Sequence, residues 1–239
     1  SKLKSRNGLD VVLSAPRIAY RETIKGRSDV QGKHKKQSGG HGQYGDVKIR
    51  FSPGEGDGLT FTQSVVGGSV PKNYFPAIEK GLLEAMQKGV LAGYPVVGLA
   101  ADLYDGSYHD VDSNELSFKM AASLAYKAGL PLAKPVLLEP IGELKVTIPD
   151  SVVGAVMGDI NSKRRGTVLG SNPAEGKPGY TTIDAEVPKA TMVEYTIDLR
   201  AMTQGKGSYS FYFVRYDEVP GSEAQKIIAE AKANMSEED

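Results

Sequence analysis

One group of residues in this chain has the type and spacing of a nucleotide-binding loop. Residues 40–45, Gly-His-Gly-Gln-Tyr-Gly, satisfy the pattern G-x-G-x-x-G, which in dinucleotide-binding proteins follows a buried strand and opens a helix beside the pyrophosphate. Here residues 32–38 before the motif are basic and polar, and residues 47–51 after it alternate between apolar and basic, as in a strand. The flanks therefore predict the tip of a β-hairpin and not a dinucleotide site.

Metal-binding and nucleophilic residues offer no alternative chemistry. Cysteine is absent, which excludes disulfides, thiolate metal sites and thiol nucleophiles. His34, His41 and His109 form no H-E-x-x-H arrangement and are too few for a structural zinc site. Ser107 and Asp110 flank His109 in one predicted turn, where adjacent residues do not converge as a catalytic triad, and the pattern G-x-x-x-x-G-K-[S/T] is missing. We therefore expect no enzymatic activity, metal or cofactor in this chain.

Basic residues are concentrated around the glycine motif. The chain has no net charge, with 29 Lys and Arg against 29 Asp and Glu, but residues 1–50 contain twelve basic and four acidic residues. Such a surplus is typical of a solvated surface or of a nucleic-acid-binding surface, and charge alone does not separate the two. No secretory signal opens the sequence and no apolar run is of membrane length, so we expect a cytoplasmic protein without a membrane partner.

Hydrophobic periodicity predicts the elements that position the motif. Alternation predicts strands at 9–14, 17–24, 59–66 and 94–104, besides the two strands of the hairpin, which ends near residue 52. Between the last two of these strands, a helix is predicted from Pro71 to about Gly93. Its apolar face is formed by Tyr74, Ile78, Leu82, Met86 and Val90.

A second polar loop is predicted where the strand at 94–104 ends. Asp105-Gly106 is a turn signal, and the loop continues to Asp112, which is predicted to cap the next helix. That helix is expected to bury the apolar stripe Leu116, Met120 and Leu124. Both polar loops therefore leave the ends of strands, and they are expected to form one tip.

Prolines at 131, 135 and 140 mark a boundary near residue 135, and the pattern then changes to βαββαβ. This order is that of a ferredoxin-like domain. A capping box at Ser222 and Gln225 predicts a last helix, which must pack on another part of the chain. The fold class is therefore α+β with two domains.

Several segments, in the same order as in the family, closely resemble elongation factor G, the bacterial translocation GTPase. The matching segments are "AYRETI" (19–24), "QSGGHGQYGDV" (37–47), "GVLAGYPVVG" (89–98), "LYDGSYHDVDS" (103–113), "FKMAAS" (118–123), "AKPVLLEPI" (133–141), "GDIN" (158–161) and "DLRAMTQGKGSY" (198–209). The resemblance covers the C-terminal part of that factor. It implies that residues 1–15 end a domain of the third type and that 16–134, completed by a helix at 221–235, form a ribosomal-protein-S5-like domain of the fourth type. Residues 135–220 would form a ferredoxin-like domain of the fifth type.

The resemblance also implies a function and a set of partners. The expected function is ribosome binding during tRNA–mRNA translocation, with the tip entering the decoding site as a tRNA mimic. GTP and Mg²⁺ would bind to an N-terminal GTPase domain outside this chain, and no obligate oligomer is expected. A self-standing RNA-binding protein without a GTPase domain is the alternative. The departures from the usual family sequence, such as histidine at position 41, suggest a paralogue whose role is translocation, ribosome recycling or something more specialised.

The resemblance assigns the contact residues to two groups. The residues expected to contact RNA at the tip are Lys35, Lys36, Gln37, Ser38, Gly39, Gly40, His41, Gly42, Gln43, Tyr44, Gly45, Ser107, Tyr108, His109 and Asp110. Those expected to contact large-subunit RNA at the stalk base are Arg164, Arg165, Gln204 and Lys206. The chemistry of these residues agrees, because lysines offer charge, glycines allow close backbone approach, and polar and aromatic side chains can hydrogen-bond or stack on bases.

Overall fold

The computed structural model describes residues 17–37 and 39–238, which form two compact units. The tip unit combines residues 20–138 with the residues from 218 onward. The ferredoxin-like unit comprises residues 139–217 and the described residues before 20. The strand predicted at 9–14 and the end of a preceding domain predicted at 1–15 lie outside the described residues.

The tip unit is built around a four-stranded sheet with two helices on one face. Its elements are β1 (Arg21–Ile24), β2 (Ser28–Lys36), β3 (Gln43–Pro53), β4 (Leu59–Gln63), α1 (Phe75–Ala85), β5 (Leu99–Ser107) and α2 (Glu115–Gly129). The sheet order is β2-β3-β5-β4, with β3 antiparallel to both neighbours and β4 parallel to β5. The two strands of the predicted hairpin are therefore β2 and β3, and the glycine motif lies at their turn.

Alternation along the strands determines which side chains enter the core of the tip unit. In β3 the residues Val47, Ile49 and Phe51 are buried and pack with α1 and α2, whereas the intervening residues point to the opposite face. The helices contribute Ile78, Leu82, Phe118, Ala121, Ala122 and Ala125, each fully buried. Burying one Leu, Ile or Phe side chain contributes about 1.5–3 kcal/mol, so this layer fixes the sheet against the helices.

Two glycines allow the hairpin to approach α2 closely. A Cβ atom at Gly32 would lie 2.1 Å from the carbonyl oxygen of Ala121, and one at Gly45 would lie 2.5 Å from that of Ser117. No side chain can be accommodated at these distances without moving backbone atoms. The last glycine of the motif therefore serves the packing of β3 on α2.

The helix predicted to reach Gly93 ends earlier, at Ala85, and a looped segment follows before β5. Glu22, which is 1% exposed, organises this segment from β1. Its carboxylate accepts hydrogen bonds from the backbone N–H groups of Leu91 (2.8 Å), Ala92 (2.9 Å) and Tyr94 (2.9 Å). A buried charge that orders a loop cannot be read from periodicity, which explains why the predicted helix is too long.

The prediction for the start of α2 is wrong in its cap and in its buried face. Asn114, not Asp112, is the N-cap, and its side chain accepts a hydrogen bond from the Ser117 N–H at 2.8 Å. The stripe predicted to be buried, Leu116, Met120 and Leu124, is 55%, 41% and 41% exposed. The buried face instead consists of small residues and aromatic rings, because the close approach of β2 and β3 leaves room only for alanine over most of the contact.

The turn predicted at Asp105-Gly106 is also wrong, because β5 continues through it to Ser107. The register between β3 and β5 shifts between Lys48 and Ile49, so that Tyr104 is an extra residue in β5. This β-bulge brings Ser107 opposite Asp46. The second polar loop therefore begins at residue 108.

The ferredoxin-like unit has the predicted βαββαβ order, which confirms the α+β fold class. Its elements are β6 (Pro135–Pro149), α3 (Val153–Asn161), β7 (Thr167–Pro173), β8 (Tyr180–Pro188), α4 (Tyr195–Thr203) and β9 (Ser208–Glu218). The sheet order is β7-β8-β6-β9; residues 135–138 at the start of β6 belong to the tip unit, where they pair with β1. Its core consists of Leu144, Val146, Ile148, Val156, Ile160, Ile183, Ala185, Val187, Tyr195 and Leu199.

The last helix, α5 (Gly221–Glu238), belongs to the tip unit, as predicted. The N–H of Val219 donates to the carbonyl oxygen of Leu137 at 2.9 Å just before the helix, and the Met235 sulfur lies 3.8 Å from the Cβ position at Gly93. Along the described part of the chain, no helix combines the length and hydrophobicity needed to cross a membrane.

Candidate nucleic-acid interface

Two loops meet at one end of the tip unit. Loop 1, residues 37–42, joins β2 to β3, and loop 2, residues 108–114, joins β5 to α2. The N–H of Tyr44 donates to the carbonyl oxygen of Asp112 at 3.0 Å, and the Ser113 hydroxyl donates to the carbonyl oxygen of Tyr44 at 2.8 Å. The structure therefore brings both predicted loops together, and we call their combined exterior the tip surface.

A stacked ring pair lies between the loops. The imidazole of His109 stacks on the phenol ring of Tyr44, with ring centroids 4.0 Å apart and an interplanar angle of 18°. Tyr44 is only 6% exposed, whereas the His109 side chain is 51% exposed. The Tyr44 ring therefore supports the imidazole from below, and His109 presents its remaining surface to solvent.

A chain of hydrogen bonds holds the Tyr44 hydroxyl in place. The Ser107 hydroxyl donates to one carboxylate oxygen of Asp46 at 2.6 Å, so the Tyr44 hydroxyl, 2.6 Å from the same serine oxygen, is the donor to Ser107. The side-chain amide of Gln31 donates to the other Asp46 oxygen at 2.7 Å. Each group in this chain is satisfied, which favours one conformation of the ring.

Positive charge is left unpaired at the tip end of the hairpin. Lys33, Lys35 and Lys36, here called the tip lysines, are exposed, and among the described residues none of them forms a salt bridge. The Lys33 ammonium lies 5.5 Å from the centroid of the Tyr44 ring. Farther along the same face the cations are neutralised: Lys48 pairs with Asp105 at 3.7 Å, and Arg50 lies 3.8 Å from two carboxylates. Exposed positive charge is therefore present on the tip end of β2, although the chain is neutral overall.

The glycines of loop 1 differ in their roles. Gly39 (φ 32°) and Gly40 (φ 144°) adopt backbone angles that favour glycine, and a Cβ at either would meet only open space. Gly42 lies against loop 2, because its Cβ position is 2.8 Å from the Asp112 carboxylate. The first two glycines therefore keep the hairpin end thin and accessible, whereas Gly42 and Gly45 serve internal packing.

The other predicted tip residues divide by exposure. Lys35, Lys36, Gln37, His41, Tyr108, His109 and Asp110 are exposed. Gln43 is half-buried, and its side-chain oxygen lies 2.7 Å from Nε2 of His34. Tyr44 and Gly45 are buried, so the structure does not support direct contacts from these two residues, and it gives them supporting roles. Ser38 lies outside the described residues.

The second predicted group is not a single exposed surface, and the assignment of Arg164 as an RNA contact is wrong. Arg164 is 2% exposed: its guanidinium donates to the carbonyl oxygen of Thr191 at 2.6 Å, pairs with Asp159 at 3.1 Å and binds Asp198. Its central carbon lies 4.9 Å from the Tyr195 ring centroid. Hydrogen bonds from Arg164 and Lys163 lower the pKa of Asp198. Arg164 therefore fastens α3 to α4 inside the unit.

The remaining members of this group are more accessible. Arg165, at φ 51°, donates two hydrogen bonds to the buried Glu139 carboxylate, at 2.9 and 3.1 Å, and stays partly exposed. Gln204 ends α4 at φ 54°, and both Gln204 and Lys206 are exposed. These three residues can still face a partner, although the Arg165 guanidinium also binds Glu139.

Sequence reasoning missed the residues that support the tip. Gln31 and Asp46 lie on the same face of the sheet as Tyr44, which the period of two along β2 and β3 could have revealed. No sequence signal identifies Ser113, whose hydroxyl accepts from the His109 N–H at 2.9 Å while donating to Tyr44. Over the described residues no group of three or more His, Asp or Glu side chains is placed to hold a metal ion.

Comparison with known proteins identifies the family. Residues 16–134 match the family model "Elongation factor G, domain IV", and residues 136–227 match "Elongation factor G C-terminus". An elongation factor G-like protein from Thermotoga maritima is 48% identical over all 239 residues, which cover 35% of that protein. A crystal structure of a protein from Thermus thermophilus matches with a TM-score of 0.81 at 48% identity, over 92% of this chain and 32% of that one. The chain thus spans about a third of the length of these relatives, and it belongs to the elongation factor G family of translation factors.

Proposed function

We propose that this chain is the ribosome-binding C-terminal portion of a translation factor that promotes tRNA–mRNA translocation, with the tip surface entering the decoding A site as a tRNA mimic. The observation that carries the proposal is the tip surface itself. It combines unpaired lysines, a thin glycine turn and an exposed imidazole held on a buried ring. Such a surface fits RNA, which is recognised through phosphate charge and through stacking on unpaired bases.

The mechanism that this geometry supports is steric and electrostatic. The tip lysines would attract phosphates, while Gly39 and Gly40 would let the hairpin end enter a narrow RNA groove. The bound tip would occupy the space that tRNA and mRNA vacate, and so prevent their backward movement. No bond is made or broken in this step.

The ferredoxin-like unit would contribute a second contact, to large-subunit RNA at the stalk base. Gln204 and Lys206 support this contact because both are exposed beside the end of α4. Arg165 would contribute its partly exposed guanidinium, and Glu139 would fix that group's orientation. Arg164 has no part in this contact, since its guanidinium is buried among internal partners.

The rest of the full-length factor would bind GTP and supply the free energy of its hydrolysis to translocation. We propose that the full-length protein carries an N-terminal GTPase domain that binds GTP and Mg²⁺, because the relatives are about three times longer than this chain. The full-length protein would act in the cytoplasm, as a monomer without a membrane partner. Its partners would be the ribosome, tRNA and mRNA.

The test replaces Lys35, Lys36 and His109 by alanine in the full-length factor. Rapid-kinetic translocation is expected to slow at least tenfold, whereas intrinsic GTP hydrolysis stays close to that of the unchanged factor. A control factor with Lys226→Ala and Lys232→Ala, two exposed lysines of α5, is expected to translocate at the normal rate. Equal translocation rates for the tip variant and the control would refute the proposal. Loss of RNA affinity without slower translocation would instead favour an RNA-binding role outside translocation.

A further inference from the structure

We propose that Tyr44 is a positioning residue, which holds the imidazole of His109 in one orientation and anchors loop 2 on β3. This inference rests on the proposed function, because it names the residue through which the exposed histidine would meet RNA. Tyr44 itself does not touch the partner, since only 6% of its surface is exposed.

The stacking geometry is the first support. The centroid separation of 4.0 Å and the angle of 18° place the two rings nearly parallel and in van der Waals contact. One face of the imidazole is therefore covered, and the ring cannot turn about its side-chain bonds without losing that contact. The other face remains open to a base, whereas Nδ1 at the ring edge lies 4.0 Å from the Asp112 carboxylate.

The anchoring of Tyr44 is the second support. Its hydroxyl donates to Ser107, which in turn donates to the Asp46 carboxylate that Gln31 also binds. Because Tyr44 and Asp46 are each 6% exposed, the two bonds of Ser107 are partly shielded from solvent, which strengthens them relative to bonds in water. The Tyr44 ring is thus held in one position, against which the imidazole of His109 stacks.

The backbone of Tyr44 supplies the third support, because both of its polar groups bind loop 2. Its N–H donates to Asp112, and its carbonyl oxygen accepts from Ser113, whose hydroxyl oxygen in turn accepts from the His109 N–H. Tyr44 of β3 therefore holds the side chain of His109 by stacking and its backbone through Ser113. Loop 2, ordered in this way, binds without the entropic cost of fixing its conformation.

The test measures the His109 ring by NMR in the 239-residue chain, without RNA. Stacking on Tyr44 is expected to move the imidazole proton signals upfield of those of a free histidine, and Tyr44→Leu is expected to remove that shift. Tyr44→Phe should retain it, because the phenyl ring preserves the stack while losing only the hydroxyl. Tyr212→Leu, which changes a 65% exposed ring of β9, is the matched control and should leave the signals unchanged.

Binding to purified small ribosomal subunits provides the second readout, measured with the full-length factor. Tyr44→Leu is expected to weaken affinity about three- to tenfold, the loss typical of one aromatic pair, whereas Tyr44→Phe restores most of it. An upfield shift that survives Tyr44→Leu would overturn the inference. If that variant does not fold, the absence of proton contacts between the two rings in the unchanged chain would overturn it equally.

The two readouts separate this inference from the function on which it rests. If the shift depends on Tyr44 but neither Tyr44→Leu nor His109→Ala changes ribosome affinity, positioning is upheld and the tip is not the RNA contact. If His109→Ala weakens binding but the imidazole signals show no dependence on Tyr44, the tip contact is upheld and the positioning role is refuted.

Discussion

Replacing Glu22 by glutamine is predicted to release the segment that leads into β5. The Glu22 carboxylate is buried, and its two oxygens accept three backbone N–H groups. A glutamine oxygen in the position of the second carboxylate oxygen keeps the bonds from Ala92 and Tyr94. The new NH₂ group then faces the N–H of Leu91, so that two donors meet and one buried N–H loses its acceptor.

The free-energy cost of Glu22→Gln follows from the hydrogen bonds that are lost. Losing one hydrogen bond to a charged acceptor removes about 1.5–3 kcal/mol, and leaving a buried donor unsatisfied costs about 1–3 kcal/mol. Since the two effects overlap, the opening free energy of the segment is expected to fall by about 2–4 kcal/mol. That change corresponds to a roughly 30- to 1,000-fold increase in the population of the open segment.

Native-state hydrogen exchange by mass spectrometry measures that population directly. The amides of Leu91, Ala92 and Tyr94 are expected to lose protection by this factor in Glu22→Gln, while those of β8 in the other unit exchange as before. Glu55→Gln, at an exposed turn position, is the control and should change nothing. Unaltered protection of the three amides in Glu22→Gln would show that the carboxylate does not hold the segment.

Three further predictions concern packing, pH and salt. Gly32→Ala forces a Cβ into the backbone of α2 and is expected to lower the free energy of unfolding in urea by about 3 kcal/mol or more. Gly58→Ala, which has open space around it, should leave that free energy nearly unchanged, and similar urea midpoints for the two variants would contradict the packing argument. Because hydrogen bonds from Arg164 and Lys163 lower the pKa of Asp198, its stabilising contribution is complete above the ordinary value of 3.8 and is lost as pH falls through the lowered folded pKa. Asp198→Asn should therefore flatten the acid limb of the unfolding profile, and an unchanged limb would refute this assignment. Replacing one tip lysine by glutamine should reduce the slope of log affinity for a single-stranded RNA oligonucleotide against log salt by about 0.7, and an equal slope would exclude a phosphate contact at that lysine.

The sequence predicted the elements whose side chains follow one regular period. The βαββαβ order is confirmed, and so is the burial of Ile78 and Leu82 on α1 and of Met86 just after it, since alternation and helical spacing directly determine which residues are buried. The hairpin reading of the glycine motif is confirmed for the same reason, because the residues on both sides of the motif form β2 and β3. Fold class was accessible because it depends on these repeating patterns.

The features that sequence reasoning mispredicted depend on contacts between distant segments. The helical period predicts a buried face with Leu116, Met120 and Leu124, but these residues are exposed. Glycines in β2 and β3 allow the sheet to pack closely against the alanine face of α2 instead. Arg164 has the chemistry of an RNA contact, yet two aspartates on α3 and α4 hold it inside the unit. In both cases residue type alone permits two environments, and only the packing of other elements selects one.

The bulge in β5 determines what can be transplanted at the tip. If Tyr104 paired in regular register instead of forming the bulge, Ser107 would turn toward the helices, and the Tyr44 hydroxyl and Asp46 would lose their shared partner. A graft that keeps Tyr104 must therefore also keep it as a bulge, however well loop 2 itself is copied. A strand of regular register would need one residue fewer, because a single residue of length decides which side of the sheet the supporting serine occupies.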